Sequence, residues 1–388
     1  MRVTNRVGLS MSARPLAVAR IGVSAAMLLE LRQTADAMLL LAEPGTLRAP
    51  YWEFGPSPTV LLVWALIALW LASAAALMIG WRTRAAGAVL TVTLASVLLL
   101  DQQLYSNHDY LMVLVAGLLT VGDSGATLSL DARRRGARES IPAWPVWLLK
   151  VQISFVYGFA ALAKLNVEFL SGSVVASYLR REGPLAFPDA WRTLEPMMVL
   201  AILAIGLEAF VALSLWSRRW RPAGMVAAFA LHIGITGWLS PTYALLVFSL
   251  LMLPMLLLFL DVTPGHRVVV WDDSCGFCAG WVRWLRRLDW LRALDFVPLS
   301  RLGSARLPVS EEAALEALQL VTPRRVYAGF RAVTRVAEVL PVSFLWAPLL
   351  RLPPVVWLGD RVYAKVAARR TCQLPVGTAR AAPSSRSS

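Results

Sequence analysis

Two sets of residues in this chain of 388 could do chemistry. The first is a pair of thiols, Cys275 and Cys278, in the run Asp272-Asp-Ser-Cys275-Gly-Phe-Cys278. Sulfurs at C-x-x-C spacing can exchange with a disulfide, or they can supply half of a zinc site. They follow a short apolar strand pattern, Arg267-Val-Val-Val-Trp271, and lead into a helix-period stretch from Ala279 to Asp289. A thiol at a helix N-terminus feels the positive end of the backbone dipole, which favours thiolate. On that reading Cys275 attacks, Cys278 resolves and Asp272 supports them, while Asp273 opposes thiolate formation by like-charge repulsion. Zinc would need two more ligands. Cys372 and His266 remain, neither with a neighbour at metal-ligand spacing, so no metal is expected. A plainer reading, two cysteines that only cap a buried helix, stays open.

The second set lies in apolar sequence, where ionisable groups are costly and therefore functional suspects. It comprises Arg20, Glu30 and Arg32, then His108, Lys150, Lys164, Glu208 and His232. Lys150 and Lys164 fall on one face of a helix, roughly 21 Å apart along its axis. A lysine in a dry pocket loses the solvation of its charged form and can act as a base. Alternatively, Lys164 snorkels outward and pairs with Asp109 or Glu168. Glu208 and His232 could likewise do no more than bind each other across two helices.

The elements that must position these groups follow from composition. With 57% hydrophobic and 16% charged residues and a mean hydropathy of +0.60, the chain is too apolar for a water-soluble protein. A spanning helix needs about 20 apolar residues, and about eight stretches qualify: 15–42, 59–80, 85–104, 109–125, 144–165, 196–216, 222–239 and 243–260. The fold class expected is a polytopic α-helical membrane bundle followed by a small α/β domain. Its parts are residues 1–262, 263–375 and a basic, disordered tail at 376–388.

Arginines sit in alternate loops: Arg2, Arg6 and Arg14; Arg82 and Arg84; Arg133, Arg134, Arg135 and Arg138; Arg218, Arg219 and Arg221. By the positive-inside rule those loops and both termini are cytoplasmic, and a bacterial inner membrane is the expected location. Lys164 and His108 then lie toward the outer face. The net charge of +14 is explained by such loops. No groove-reading helix or aromatic platform is evident, so nucleic acid is not an expected partner. Three cysteines exclude a disulfide scaffold.

Several short motifs occur in a fixed order: Ser106-Asn-His108-Asp-Tyr110-Leu, Gln152 through Tyr157 to Lys164-Leu, Gly206-Leu-Glu208, and His232-Ile after an Arg-rich loop. Over residues 15–262 they resemble the horizontally transferred transmembrane (HTTM) domain shared with vitamin K-dependent gamma-carboxylase. The resemblance implies a catalytic base at Lys164, supporting chemistry at His108, and a quinone-like or lipid-like ligand near Tyr157, Glu208 and His232. The carboxylase's large lumenal substrate domain has no counterpart here, so carboxylation of protein glutamate is not implied.

The segment from Arg267 to about Leu374 resembles the DCC-type thiol-disulfide oxidoreductase-like family, through Asp272, Cys275, Cys278, Phe296-Val-Pro298, Tyr327-Ala-Gly329 and Leu352-Pro353. That implies a thioredoxin-like fold. Family members carry Asp-Gly where this chain has Asp272-Asp273. The only candidates for the proline loop that faces the cysteines in thioredoxin are Pro298 and Pro323.

Two functions follow from these readings. One is a membrane oxidoreductase with a cytoplasmic dithiol, a thiol redox partner and a quinone in the bundle. The other is a non-catalytic sensor or scaffold that binds lipid and docks a partner.

Overall fold

A computed structural model describes residues 10–52, 58–179, 193–239, 242–260, 262 and 266–368. Arg2, Arg6, the charged residues Arg180, Arg181, Glu182, Asp189 and Arg192, Cys372 and the basic tail lie outside the described residues.

Each apolar stretch forms a helix. They are α1 (Ala13–Leu41), α2 (Val60–Ile79), α3 (Thr83–Leu100), α4 (Asn107–Val121), α5 (Trp144–Ala163), α6 (Leu194–Ser214), α7 (Arg221–Trp238) and α8 (Thr242–Leu256). Four of them, at Val60–Ile79, Thr83–Leu100, Trp144–Ala163 and Glu195–Ser214, are long and apolar enough to cross a membrane by length and composition alone. The chain is a membrane protein. Of the rest, α4 and α8 are shorter, and α1 carries Arg14, Arg20, Glu30 and Arg32. A short antiparallel pair, β1 (Ser10–Ser12) with β2 (Ser140–Pro142), ties the start of α1 to the approach to α5.

The helices pack in two groups. In one, α1 packs on α2, α2 on α3 and α3 on α4; in the other, α5 packs on α6, α6 on α7 and α7 on α8. Contacts of α1 with α8 and of α4 with α5 close the bundle. Tight α1–α8 packing needs Gly22, where an added Cβ would lie 2.5 Å from the Pro254 ring.

The chain divides into two compact units, residues 1–263 with 341–348, and 264–340 with 349–388. In the second, β3 (Val268–Trp271) is central. It runs parallel to β4 (Asp295–Pro298) and antiparallel to β5 (Gln319–Val321), which pairs with β6 (Val326–Ala328). The order β4-β3-β5-β6 makes a mixed sheet, which packs with helices α9 (Gly276–Leu288), α10 (Glu311–Glu316), α11 (Gly329–Ala337) and α12 (Pro353–Ala368). This is the thioredoxin-like arrangement expected. A helix at 344–350 does not form; turns and a 3-10 segment at Leu349–Arg351 replace it. Pro348 lacks the N–H that a helix would need there.

The cytoplasm-assigned end of the bundle shows how loops hold helices. Arg20 is fully buried and donates through Nη2 to the Leu128 carbonyl at 2.6 Å. Gly80 turns the chain at φ +73, and an added Cβ there would fall 2.2 Å from Arg20 Nη1. Helix α3 has no cap from its own N-cap residue, Arg82. Instead the Asp131 carboxylate accepts from Arg82 N (2.9 Å), Thr83 N (2.7 Å) and Thr83 Oγ1 (2.7 Å). Partial burial raises the Asp131 carboxyl, but the Thr83 and Arg82 hydrogen bonds and the charge of Arg135 outweigh it and hold it below the usual carboxylate range.

A folded-state value below the unfolded one means that this stabilisation is present above about pH 4 and is lost as pH falls through the folded value. Replacing Asp131 with Asn should therefore cost about 1 kcal/mol at neutral pH, as cap losses do. Thermal unfolding in detergent should show that gap to the parent protein closing below pH 4.

Candidate functional site

Helix α5 supplies Tyr157 and Lys164, seven residues and therefore about two turns apart, on one face. Lys164 is the C-cap of α5 and its side chain is 27% exposed. Its Nζ donates to both Glu208 oxygens, each at 2.8 Å, and to the Ala160 carbonyl at 3.2 Å. All three ammonium protons are thus engaged. The Phe169 ring lies 5.7 Å from the ammonium. The amine pairs with Glu208 of α6, not with Asp109 or Glu168 as the snorkelling reading had it.

His232 of α7 is buried, and it meets Tyr157 rather than Glu208. The proton order along this line can be read from its far end. Ser249 of α8 donates its hydroxyl to the Leu245 carbonyl at 2.8 Å, so its oxygen is left to accept from His232 Nδ1–H at 2.8 Å. Nε2 then carries the lone pair and accepts from the Tyr157 hydroxyl at 2.9 Å. Tyr157 also lies in electrostatic range of Glu208. The result is two hydrogen-bonded groups on four helices, Ser249–His232–Tyr157 and Glu208–Lys164.

His108 stands apart from both. It opens α4, with Nδ1 3.2 Å from Ser106 Oγ and Nε2 3.4 Å from Glu30 Oε1 on α1. Among the described residues no hydrogen bond or ion pair joins His108 to Lys164, the two groups that the family resemblance makes chemical partners. Lys150, near the start of α5, lies over the rings of Trp147 (5.4 Å) and Phe259 (5.5 Å).

In the second unit Cys275 is the N-cap of α9, and Cys278 sits in the first turn. Neither is in a disulfide; Cys275 is buried, 2% exposed, and Cys278 is intermediate. Cys278 is therefore the more exposed of the two thiols, whereas the motif position assigns the attack to Cys275. Asp272 is buried. Its Oδ1 accepts from Ser274 N (2.9 Å) and Ser274 Oγ (2.6 Å), while Oδ2 has no hydrogen-bond partner.

Asp273 is committed elsewhere, accepting from Ser300 N (3.1 Å) and Ser300 Oγ (2.6 Å) at the end of β4. Slight burial raises its carboxyl, but these Ser300 bonds dominate and keep it low. Its charge is shared with Ser300 donors, which weakens the repulsion expected on Cys275. Beside the thiols, Gly276, Phe277, Gly280, Trp281 and Trp284 line an open groove. Neither Pro298, which ends β4 opposite Trp271, nor Pro323, in the β5–β6 turn, lies directly before β5, where Leu318 stands.

Residues 10–263 match the family model of the HTTM domain. The chain belongs to the HTTM family. Residues 269–373 match a second model, the DCC1-like thiol-disulfide oxidoreductase, and this is the part that carries the sheet and both thiols. No solved structure matches the chain.

Sequence reasoning missed Ser249 and Ser106, which set the tautomers of the two bundle histidines. A serine in an apolar helix gives no periodic signal, and only the register of α7 against α8 brings Ser249 to His232.

The Lys164–Glu208 pair of the HTTM bundle yields a double-mutant test. Lys164→Met alone strands a carboxylate 10% exposed, and the loss should approach the lower end of the roughly 3–5 kcal/mol seen for broken buried pairs. Adding Glu208→Gln should recover most of that loss, measured by thermal unfolding in detergent.

Proposed function

We propose that this HTTM chain is an integral-membrane thiol-disulfide oxidoreductase whose reacting groups are Cys275 and Cys278. The observation that carries the reading is two cysteines, not joined in a disulfide, at the junction of the central strand β3 and helix α9, in a sheet of order β4-β3-β5-β6. The DCC1-like match over the same residues supports it.

The exchange balances without a further reactant. The Cys278 thiolate attacks one sulfur of a partner disulfide, forming a mixed disulfide and releasing one partner thiolate. Cys275 then attacks the Cys278 sulfur and releases the second. The products are a Cys275–Cys278 disulfide and a partner dithiol, with two electrons and two protons passed to the partner. The α9 N-terminus stabilises either thiolate. Asp272, with one unpartnered oxygen, is the carboxylate left to act on their protons, because Asp273 is engaged by Ser300.

The arginine-bearing loops support a cytoplasmic position for this domain and both termini, where a dithiol is kept reduced and can cycle. In the bundle, the Glu208–Lys164 and Ser249–His232–Tyr157 groups support a quinone-like or lipid-like headgroup site. Lys164 would act there as a hydrogen-bond donor and charge. It could act as a base only after passing a proton to Glu208, because its three donors are already engaged.

The exposed row Phe277, Trp281 and Trp284 favours a second reading, a non-catalytic sensor or scaffold that docks a partner on this face.

Purified full-length protein should reduce an insulin-type disulfide when supplied with a reductant. Cys275→Ser should accumulate a mixed disulfide through Cys278, and the double serine variant should be inactive. An impermeant maleimide should label Cys278 in inverted vesicles but not in intact cells. Undiminished disulfide reduction by the double variant would leave the docking reading; labelling from outside would invert the topology.

A further inference from the structure

The two bundle histidines are built alike on one side and oppositely on the other. His108 has Ser106 at Nδ1, as His232 has Ser249. Ser106 donates its hydroxyl proton to Asp109 Oδ2 at 2.6 Å, so its oxygen is left to accept from His108 Nδ1–H. Nε2 of His108 therefore carries the lone pair. At His232 that lone pair meets the Tyr157 hydroxyl, a donor. At His108 it faces Glu30 Oε1 at 3.4 Å, which is another acceptor. Two acceptors do not face each other in a low-dielectric interior unless a cation lies between them.

Other atoms at the same place are also unsatisfied. Glu30 Oε2, His108 Nε2 and Asp109 Oδ1 are all buried without a hydrogen-bond partner. Glu30 is 2% and Asp109 6% exposed. One donor atom from each of Glu30, His108 and Asp109 falls within 4.8 Å of the others. A single proton on His108 would satisfy Nε2 and Glu30 Oε1 but would leave Glu30 Oε2 and Asp109 Oδ1 bare. A divalent ion can take all three groups and cancels the two carboxylate charges.

We propose that Glu30, His108 and Asp109 bind one divalent transition-metal ion between α1 and α4. Ligand arms of about 2.1 Å in a tetrahedral site put donors about 3.4 Å apart, the spacing already present between His108 Nε2 and Glu30 Oε1. Imidazole with two carboxylates suits zinc, manganese or iron better than calcium or magnesium, which prefer oxygen alone. The outer contacts fit ligation as well. Ser106 fixes the His108 tautomer and Thr34 donates to Glu30 Oε1 at 3.3 Å, the roles that groups behind metal ligands play. Spacing alone does not pair these groups, because Glu30 and His108 lie 78 residues apart and only helix packing joins them.

The test removes the thiols, which bind zinc themselves. Full-length protein with Cys275, Cys278 and Cys372 replaced by Ser is purified in detergent, stripped with a chelator, loaded with zinc alone and gel-filtered. Elemental analysis should find about one equivalent retained, with an all-nitrogen-and-oxygen shell that includes one imidazole by X-ray absorption. Each of Glu30→Gln, His108→Gln and Asp109→Asn should weaken zinc binding by more than the roughly 10–100-fold that loss of a group behind a ligand costs. Two results overturn the proposal. One is folded thiol-free protein that retains no zinc above the buffer blank, which leaves an imidazolium–Glu30 pair. The other is retained zinc that none of the three substitutions affects, which places it elsewhere, His266 included.

Discussion

Hydrocarbon offers no hydrogen bonds, so each polar side chain inside the HTTM bundle must be met by another part of the protein. That constraint organises the interior more than helix propensity does. Arg20 ends on the Leu128 carbonyl, Trp70 on the Met27 carbonyl, Lys164 on Glu208, and His232 between Tyr157 and Ser249. Each of these contacts joins segments that the apolar pattern alone would leave free to rotate against one another. Arg20 Nε and Nη1 and Ser24 Oγ also lack partners, but only around Glu30, His108 and Asp109 do several such groups come together among the described residues, and there a missing partner is most informative.

The redox unit obeys a different solvent. Its sheet is held by β3 between β4 and β5, with Val269, Val270 and Leu320 buried, while aromatic side chains remain outside on α9. Exposed tryptophans beside a dithiol are costly unless something covers them during function. The Asp272 and Asp273 carboxylates divide the labour at the strand end: one shapes the turn into the thiols, and the other fastens that turn to the end of β4.

Much of this was legible beforehand, for definable reasons. Long apolar runs have one stable form in lipid, so all eight helices could be placed within a few residues. The strand, thiol pair and helix of the second unit were equally plain, because a run of valines and a change of period mark them. Partner choice was not legible. Lys164 had Asp109 and Glu168 as nearer neighbours in sequence or level, yet Glu208 takes both of its short contacts, because α5 lies against α6. His232 and Glu208 were paired on paper because both are ionisable. The actual partners of His232 are hydroxyls, which composition counts as unremarkable. The burial of Cys275 was not legible for a similar reason: position in a motif does not report exposure.

The central claim is that buried histidines here have their protons fixed by serines behind them. Because the chain has only three histidines, nitrogen-15 spectra of histidine-labelled protein in lipid address it directly. The account predicts that His232 is a neutral imidazole protonated at Nδ1, with its Nε2 signal shifted when Tyr157 is replaced by Phe. A neutral ring protonated at Nε2, or a doubly protonated ring at neutral pH, would contradict it.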